Sequence, residues 1–329
     1  MDKFKAIVVR EENEEVTYQL EDIDLDFLSE GEVVIKVAYS TVNYKDMLGV
    51  QTRGGVIRNY PMIPGIDMAG TVVTSESPDF KEGDEVLVNS TDPGVSKTGG
   101  FSEYARVEAR NVIHLPKKLS AEDAMRYGTA GFTAALSISA LEAHGMSPED
   151  NPEVLVTGST GGVGSVAVQI LAKAGYKNIH ALVRKDYQVD VAKSLGAKHI
   201  VQVDDLLEGR NTLAPRNYHY IVDTVGGDVA AKALAQLYEN GSMAMSGNAG
   251  GHKFDATVLP IILRGVNILG INSVDYPKEE KITIWEKLAN EWYVADDLVS
   301  QKVNLDELEE TIAALKDGKH LGRTIVNVQ

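Results

Sequence analysis

Apolar and β-branched residues fall into two textures along the chain. In the first third they come in short runs separated by turn residues, and Phe4–Val9, Glu32–Ala38, Ala69–Thr74 and Glu85–Val88 each predict a strand. Ser29-Glu30-Gly31 and Glu82-Gly83-Asp84 supply loop chemistry between them. After Leu115-Pro116 the texture changes. Ser120 and Asp123 have the spacing of a helix start, because a side-chain oxygen can take up the free amides of a first turn. An alanine-rich stretch follows from Ala121 to Leu141.

From Glu153 the period alternates. Val154–Thr157, Ile179–Val183, His199–Val203, Tyr220–Asp223, Ser242–Ser246 and Ile268–Ile271 read as strands. Val163–Ala174 and Val189–Leu195 have helical spacing and stop at Gly175 and Gly196. Short apolar strands alternating with helices predict an α/β fold with a parallel, doubly wound sheet. Glu280–Glu291 and Asp306–Leu315 read as helices, and Thr324–Val328 as a strand that rejoins the first part. The expected organisation is a β-rich domain of residues 1–122 and 272–329, with residues 123–271 inserted as a nucleotide-type domain.

Composition narrows the function by exclusion. A formal net charge of -16 repels phosphate backbones, so nucleic acid is not expected as a partner. There is no cysteine, hence no thiol nucleophile, disulfide or thiolate metal ligand. No apolar run reaches membrane-spanning length, and the opening MDKFKAIVVREENEE does not read as a signal peptide. The expectation is a cytoplasmic protein without a membrane partner.

The sharpest motif is Val154–Gly164, where Gly158-Ser159-Thr160-Gly161-Gly162-Val163-Gly164 follows a strand and opens a helix. In that context glycines let the backbone approach a pyrophosphate, and the helix start offers free amides and partial positive charge. Ser159 stands at the first glycine position of G-x-G-x-x-G, with Gly161 and Gly164 at the others. The second strand ends Leu182-Val183-Arg184-Lys185, two cations where an acid would meet the ribose hydroxyls of NAD. They suit a 2′-phosphate, so NADP(H) is the expected cofactor, while the adjacent Asp186 leaves NAD open.

These residues carry a resemblance. With Asn43-Tyr44-Lys45-Asp46, Pro64-Gly65-Ile66-Asp67, Gly99–Tyr104, Tyr127–Ala134, Lys193–Ala197, Asp223–Gly226, Ile262–Val266 and Gly322-Arg323-Thr324, the chain resembles the medium-chain dehydrogenase/reductase superfamily. It is most similar there to the YhdH/YhfP branch of quinone oxidoreductases, which includes acryloyl-CoA reductase. The resemblance implies a GroES-like β-rich catalytic domain, a Rossmann domain and a homodimer. It also implies hydride transfer from NADPH to a small-molecule acceptor: an enone, an enoyl-CoA or a quinone.

On this resemblance Asn43, Tyr44 and Asp46 are the expected reacting group. Tyr44, Asn43 and Lys45 are candidate donors to a developing oxyanion, and Asp46 orients the loop. The expected cofactor-binding residues are Tyr44, Thr129, Thr133, Ser159, Thr160, Gly161, Gly162, Val163, Gly164, Val183, Arg184, Lys185, Asn248, Asn272, Ser273 and Arg323. No metal is expected. Zinc-dependent relatives use cysteine and the histidine of Gly-His-Glu, where this chain has Gly65-Ile66-Asp67, and its histidines lack H-x-x-x-H spacing. Arg53, Arg58 and Arg264 are candidates for meeting a CoA-like acceptor, and Thr91–Gly100 is a candidate flap. The alternative is a non-catalytic NADPH-binding, redox-sensing protein.

Overall fold

β-Branched runs give the amino-terminal third its antiparallel pairing. The computed structural model describes residues 3–208 and 212–329; of the opening stretch read for a signal peptide, Met1 and Asp2 lie outside them. β1 (Phe4–Glu12) and β2 (Glu15–Ile23) form a hairpin. Then come β3 (Val33–Val42), α1 (Tyr44–Gly49), β4 (Met68–Ser75), β5 (Glu85–Val88), β6 (Tyr104–Val107), β7 (Ile113–His114) and α2 (Ala121–Ala143). The alternating stretch is β8 (Glu153–Val156), α3 (Gly162–Lys173), β9 (Asn178–Val183), α4 (Tyr187–Ser194), β10 (His199–Gln202), α5 (Val203–Leu207) and β11 (Tyr218–Asp223). It continues with α6 (Gly227–Leu234), β12 (Leu237–Met245), α7 (Leu259–Arg264) and β13 (Asn267–Gly270). The tail holds α8 (Lys278–Ala289), β14 (Ser300–Asn304), α9 (Leu308–Lys316) and β15 (Arg323–Asn327).

The chain divides into two units. The first is residues 1–129, Val274–Ala289 and Val299–Gln329; the second is Ala130–Ser273 with Asn290–Leu298. The segment 290–298 was expected in the first. It goes with the second because Gln169 Nε2, on α3, donates to Asp297 O at 2.6 Å, and Trp292, Val294, Ala295 and Leu298 are buried.

In the first unit the sheet runs β14-β15-β3-β4-β5-β7, with β6 also on β3. β15 does rejoin the amino-terminal part: it pairs antiparallel with β3, Thr324 opposite Val42. Val33, Ile35, Val37, Met68, Val86 and Val326 form its core, and α9 adds Leu308 and Ile312. Ser120 and Asp123 cap α2 reciprocally, with Asp123 N donating to Ser120 Oγ at 3.0 Å and Ser120 N to Asp123 Oδ2 at 3.3 Å. α2 does not run unbroken, because Gly128 stands at φ 52°, ψ -157°.

The second unit is a six-stranded, all-parallel sheet in the order β10-β9-β8-β11-β12-β13. Numbered from β8 this is the 3-2-1-4-5-6 order of a Rossmann sheet. Leu155, Leu182, Ile221 and Met243 project from neighbouring strands into one core with Leu234 of α6. Among the described residues no helix is long and apolar enough to cross a membrane.

Candidate functional site

The bend between β8 and α3 is held by side chains that face inward. Thr157 Oγ1 donates to Asp223 Oδ1 at 2.7 Å and accepts from Thr224 N at 3.0 Å, joining the ends of β8 and β11. Burial holds the Asp223 carboxyl above its ordinary range. Ser159, fully buried, donates through Oγ to Leu182 O at 2.8 Å and joins the bend to β9. Gly161 caps α3, and a Cβ on Gly164 would lie 2.2 Å from Gly158 O. No acidic residue occupies the first turn of α3, so no side-chain carboxylate there offsets its dipole. That arrangement suits a pyrophosphate.

Arg184 and Lys185 follow Val183 at the end of β9, both exposed. Gln188, which no sequence motif marks, organises them. Its Oε1 accepts from Arg184 N at 2.8 Å and Lys185 N at 3.0 Å, while its Nε2 donates to Thr160 Oγ1 at 2.9 Å. One side chain thus couples the glycine bend to the two cations. Asn248 follows β12, and Asn272 and Ser273 follow β13. All these residues stand past the carboxyl ends of parallel strands, where such sheets bind ligands. Thr133 is apart from them, buried inside α2 with its carbonyl accepting from Ser137 Oγ.

The first unit gathers a buried polar network around Asp67. Asn43 Nδ2 donates to Asp67 Oδ2 at 2.8 Å, Thr129 N to the same oxygen at 2.8 Å, and Thr129 Oγ1 to Oδ1 at 2.5 Å. Arg323, expected to face a cofactor, is 2% exposed. Its guanidinium donates to Arg126 O, Thr41 Oγ1 at 2.9 Å and Asn43 Oδ1 at 3.2 Å. The Asn43 amide therefore bridges a carboxylate and a guanidinium, with neither end turned to solvent. A Cβ at Gly128 would lie 2.6 Å from Asp67 Oδ2 and 2.9 Å from Arg323 Nη2, so the break in α2 has room only for glycine.

Asp46 is equally occupied. It accepts from Asn43 N at 2.8 Å, Gly65 N at 3.1 Å and Ile66 N at 3.0 Å, fixing the first turn of α1. Of the expected reacting group only Tyr44 is open, at 43% exposure, held on the helix that Asn43 and Asp46 anchor.

Burial, and then the neighbouring Asp67, push the Asp46 carboxyl up to about 7. In an unfolded chain it titrates near about 4. Between those values the folded state keeps a proton that the unfolded state releases. This group therefore stabilises the fold below about pH 4, and the contribution is lost as pH rises through about 7. Unfolding midpoints measured from acid to neutral pH should fall for the wild type relative to Asp46→Asn as pH rises. A constant offset between the two would contradict the assignment.

Lys281 also lies near this network without a sequence signal. It is 4% exposed, donates to Asn89 O at 3.0 Å, and burial lowers its ammonium to about 8 against the opposing pull of Asp67. Two other expectations change. Thr91–Gly100 is packed rather than free: Gly99 N donates to Ile63 O, Gly100 N to Gly65 O, and the two glycines leave no room for a Cβ. Arg264 is spent on the carbonyls of Ala214, Ala235 and Leu237, so it closes its own unit instead of meeting an acceptor.

Known proteins are similar to this chain. Residues 29–117 match the alcohol dehydrogenase GroES-like domain family and residues 162–290 the zinc-binding dehydrogenase family. The chain is 43% identical to a Bacillus subtilis protein provisionally named quinone oxidoreductase YhfP, and 41% identical to the acrylyl-CoA reductase AcuI of Ruegeria pomeroyi. Each alignment covers 99% of both chains. The crystal structure of the yhdH oxidoreductase from Salmonella enterica in complex with NADP superposes with a TM-score of 0.95 at 37% identity, covering 99% of this chain and 100% of that one.

The chain belongs to the YhdH/YhfP branch of the medium-chain dehydrogenase/reductase superfamily. It is an oxidoreductase with the GroES-like and Rossmann parts of that superfamily. The zinc named in one matched family does not suit the residues at its usual place. Ile66 is buried and offers no donor side chain, and no cysteine exists to complete a tetrahedral set.

Proposed function

We propose that this YhdH/YhfP-branch oxidoreductase is a zinc-independent NADPH-dependent reductase of α,β-unsaturated thioesters or carbonyls, of which acryloyl-CoA is the model, or of quinones. The observation that carries the reading is the Thr157–Gly164 bend opening α3 beside Arg184 and Lys185. Bound NADPH supplies the hydride. When the β-carbon of an enoyl acceptor receives it, negative charge gathers on the carbonyl oxygen, and a hydroxyl donor there favours the transition state over the ground state. Tyr44 is the proposed donor because it is the exposed member of its group. Asn43 and Asp46 are proposed as positioning residues, since their polar atoms are already engaged.

Tyr44→Phe should lower kcat about 100-fold. Its unfolding midpoint should stay unchanged, because the hydroxyl has no role in the core. Unaltered turnover across acryloyl-CoA, a simple enone and a benzoquinone would remove Tyr44 from the chemistry. A wild type that binds NADPH but turns over none of them would favour the redox-sensing alternative.

Cofactor choice is proposed from charge. The crystal structure of B. subtilis yhfP, 41% identical with a TM-score of 0.95 and covering 100% of both chains, holds NAD, so relatives alone do not decide it. Charge-assisted hydrogen bonds contribute about 1.5–3 kcal/mol each, so Arg184→Ala/Lys185→Ala should raise KM for NADPH at least about tenfold and leave NADH unaffected. Equal losses with both nucleotides would contradict the 2′-phosphate role.

The reading also takes the protein to be a cytoplasmic homodimer. For the dimer, β13 is an edge strand, and Val258, Ile262 and Leu263 on and beside α7 are 61–67% exposed, an apolar surface next to unpaired backbone.

A further inference from the structure

The second unit carries a group of metal-ligating side chains at the end of its sheet opposite the glycine bend. Glu153 opens β8, and His180 and His199 lie on β9 and β10 as cross-strand neighbours. His180 Nε2 stands 2.5 Å from Glu153 Oε2, and the two imidazoles stack with centroids 4.5 Å apart. One ligand atom from each of the three lies within 4.8 Å of the others. The H-x-x-x-H spacing sought along the sequence misses this group, because its members come from three strands that the parallel register aligns.

We propose that Glu153, His180 and His199 bind a divalent transition-metal ion, zinc foremost. Two imidazoles and one carboxylate select such an ion over calcium or magnesium, which prefer oxygen alone. Three protein ligands leave the fourth tetrahedral position to water, and the group is only part-buried, so water and ion can reach it. The cation replaces the hydrogen bond between His180 Nε2 and Glu153 Oε2, whose atoms move apart to admit it. An ordinary His–Glu hydrogen bond would account for two of these residues but not for a second imidazole stacked on the first.

The Lys198 ammonium is engaged by Asn178 Oδ1 at 3.0 Å, and the Tyr218 ring packs edge-on against His180. An ion here would fasten the edge strand β10 to β9 and β8. It would lie about 10–16 Å from the bend, at about 3.3 Å of strand per residue counted to Gly158 from Leu155, which His180 faces, or from Glu153, so its role is structural and separate from nucleotide binding.

The test uses the full chain without a histidine tag, stripped with a chelator and titrated calorimetrically with Zn²⁺ alone. One equivalent should bind saturably, and zinc should raise the unfolding midpoint, since an ion that binds only the folded state stabilises it. His199→Ala and Glu153→Gln should each weaken zinc uptake at least about tenfold, abolish the thermal shift and leave NADPH affinity as it was. Retained NADPH affinity shows that either variant is folded. No saturable uptake by the wild type, or uptake that survives either substitution, overturns the proposal.

Discussion

Gly164→Ala should lower NADPH-dependent turnover about 100-fold, because displacement of bound groups by about 1 Å carries losses of that size. The added methyl would sit 2.2 Å from Gly158 O, 2.7 Å from Gly158 C and 2.9 Å from Ser159 Cα. All three are backbone or Cα atoms and none can swing aside. The start of α3 must then move away from β8, taking the free amides of its first turn with it. The bend resists that movement, being fastened through Ser159 to β9 and through Thr157 to Asp223. Nucleotide affinity should fall in parallel with turnover. Steady-state kinetics with NADPH, beside a direct binding titration, measure both. An alanine variant with wild-type affinity would mean that the contact between α3 and the bend does not shape the nucleotide site.

The second large effect concerns stability. Arg323→Met should destabilise the first unit by about 3–5 kcal/mol, the scale of leaving a buried charge uncompensated, because the guanidinium balances Asp67 through the bridging Asn43 amide. Asp67 is fully buried, and Asp46 is 2% exposed. Burial brings the Arg323 guanidinium down to about 10, while Asp67 and then Asp46 pull the other way. Removing it leaves the buried Asp67 and the Asn43 Oδ1 without their cation. At about 2–4 °C per kcal/mol for a unit of this size, the unfolding midpoint should drop by about 10 °C. Pairing Arg323→Met with Asp67→Asn should recover part of the loss, because the second change removes the charge the first exposes. Additive losses in that double-mutant cycle would contradict the electrostatic coupling.

Much of the second unit could be read from the chain because its central strands β8, β9 and β11 are largely buried and mostly apolar. Val154–Val156 is an unbroken apolar run and Ile179–Val183 is interrupted only by His180, and the glycine bend follows directly from where the first one stops. β2 could not be read. Its residues are mostly exposed or half-exposed, so Glu15–Ile23 carries no strong apolar signal and is ordered by its partner β1. β7 has two residues, too short to show a period, and in the four of β6 Tyr104 and Arg106 interrupt the apolar run.

Legibility of the site followed the same rule. Residues adjacent in the chain were visible, as with Ser159–Gly164 and Arg184-Lys185. Those assembled from a distance were not. Asp67 and Thr129 meet across 62 positions, Arg323 and Asn43 across 280, and neither pair leaves a local pattern. The motifs that contain them were visible, but their task was not: Arg323 and Asn43 turn toward each other rather than outward. Gln188 was invisible for another reason. A glutamine in the first turn of a helix is commonplace, and only its hydrogen bonds to Arg184, Lys185 and Thr160 give it a part in the site.

Calorimetric titration of the wild-type chain with NADPH, and with NADH under the same conditions, tests the central claim most directly. The account predicts one NADPH bound per chain, at least about tenfold tighter than NADH, from the charge-assisted contacts that the 2′-phosphate adds. A chain that takes up neither nucleotide would contradict the claim.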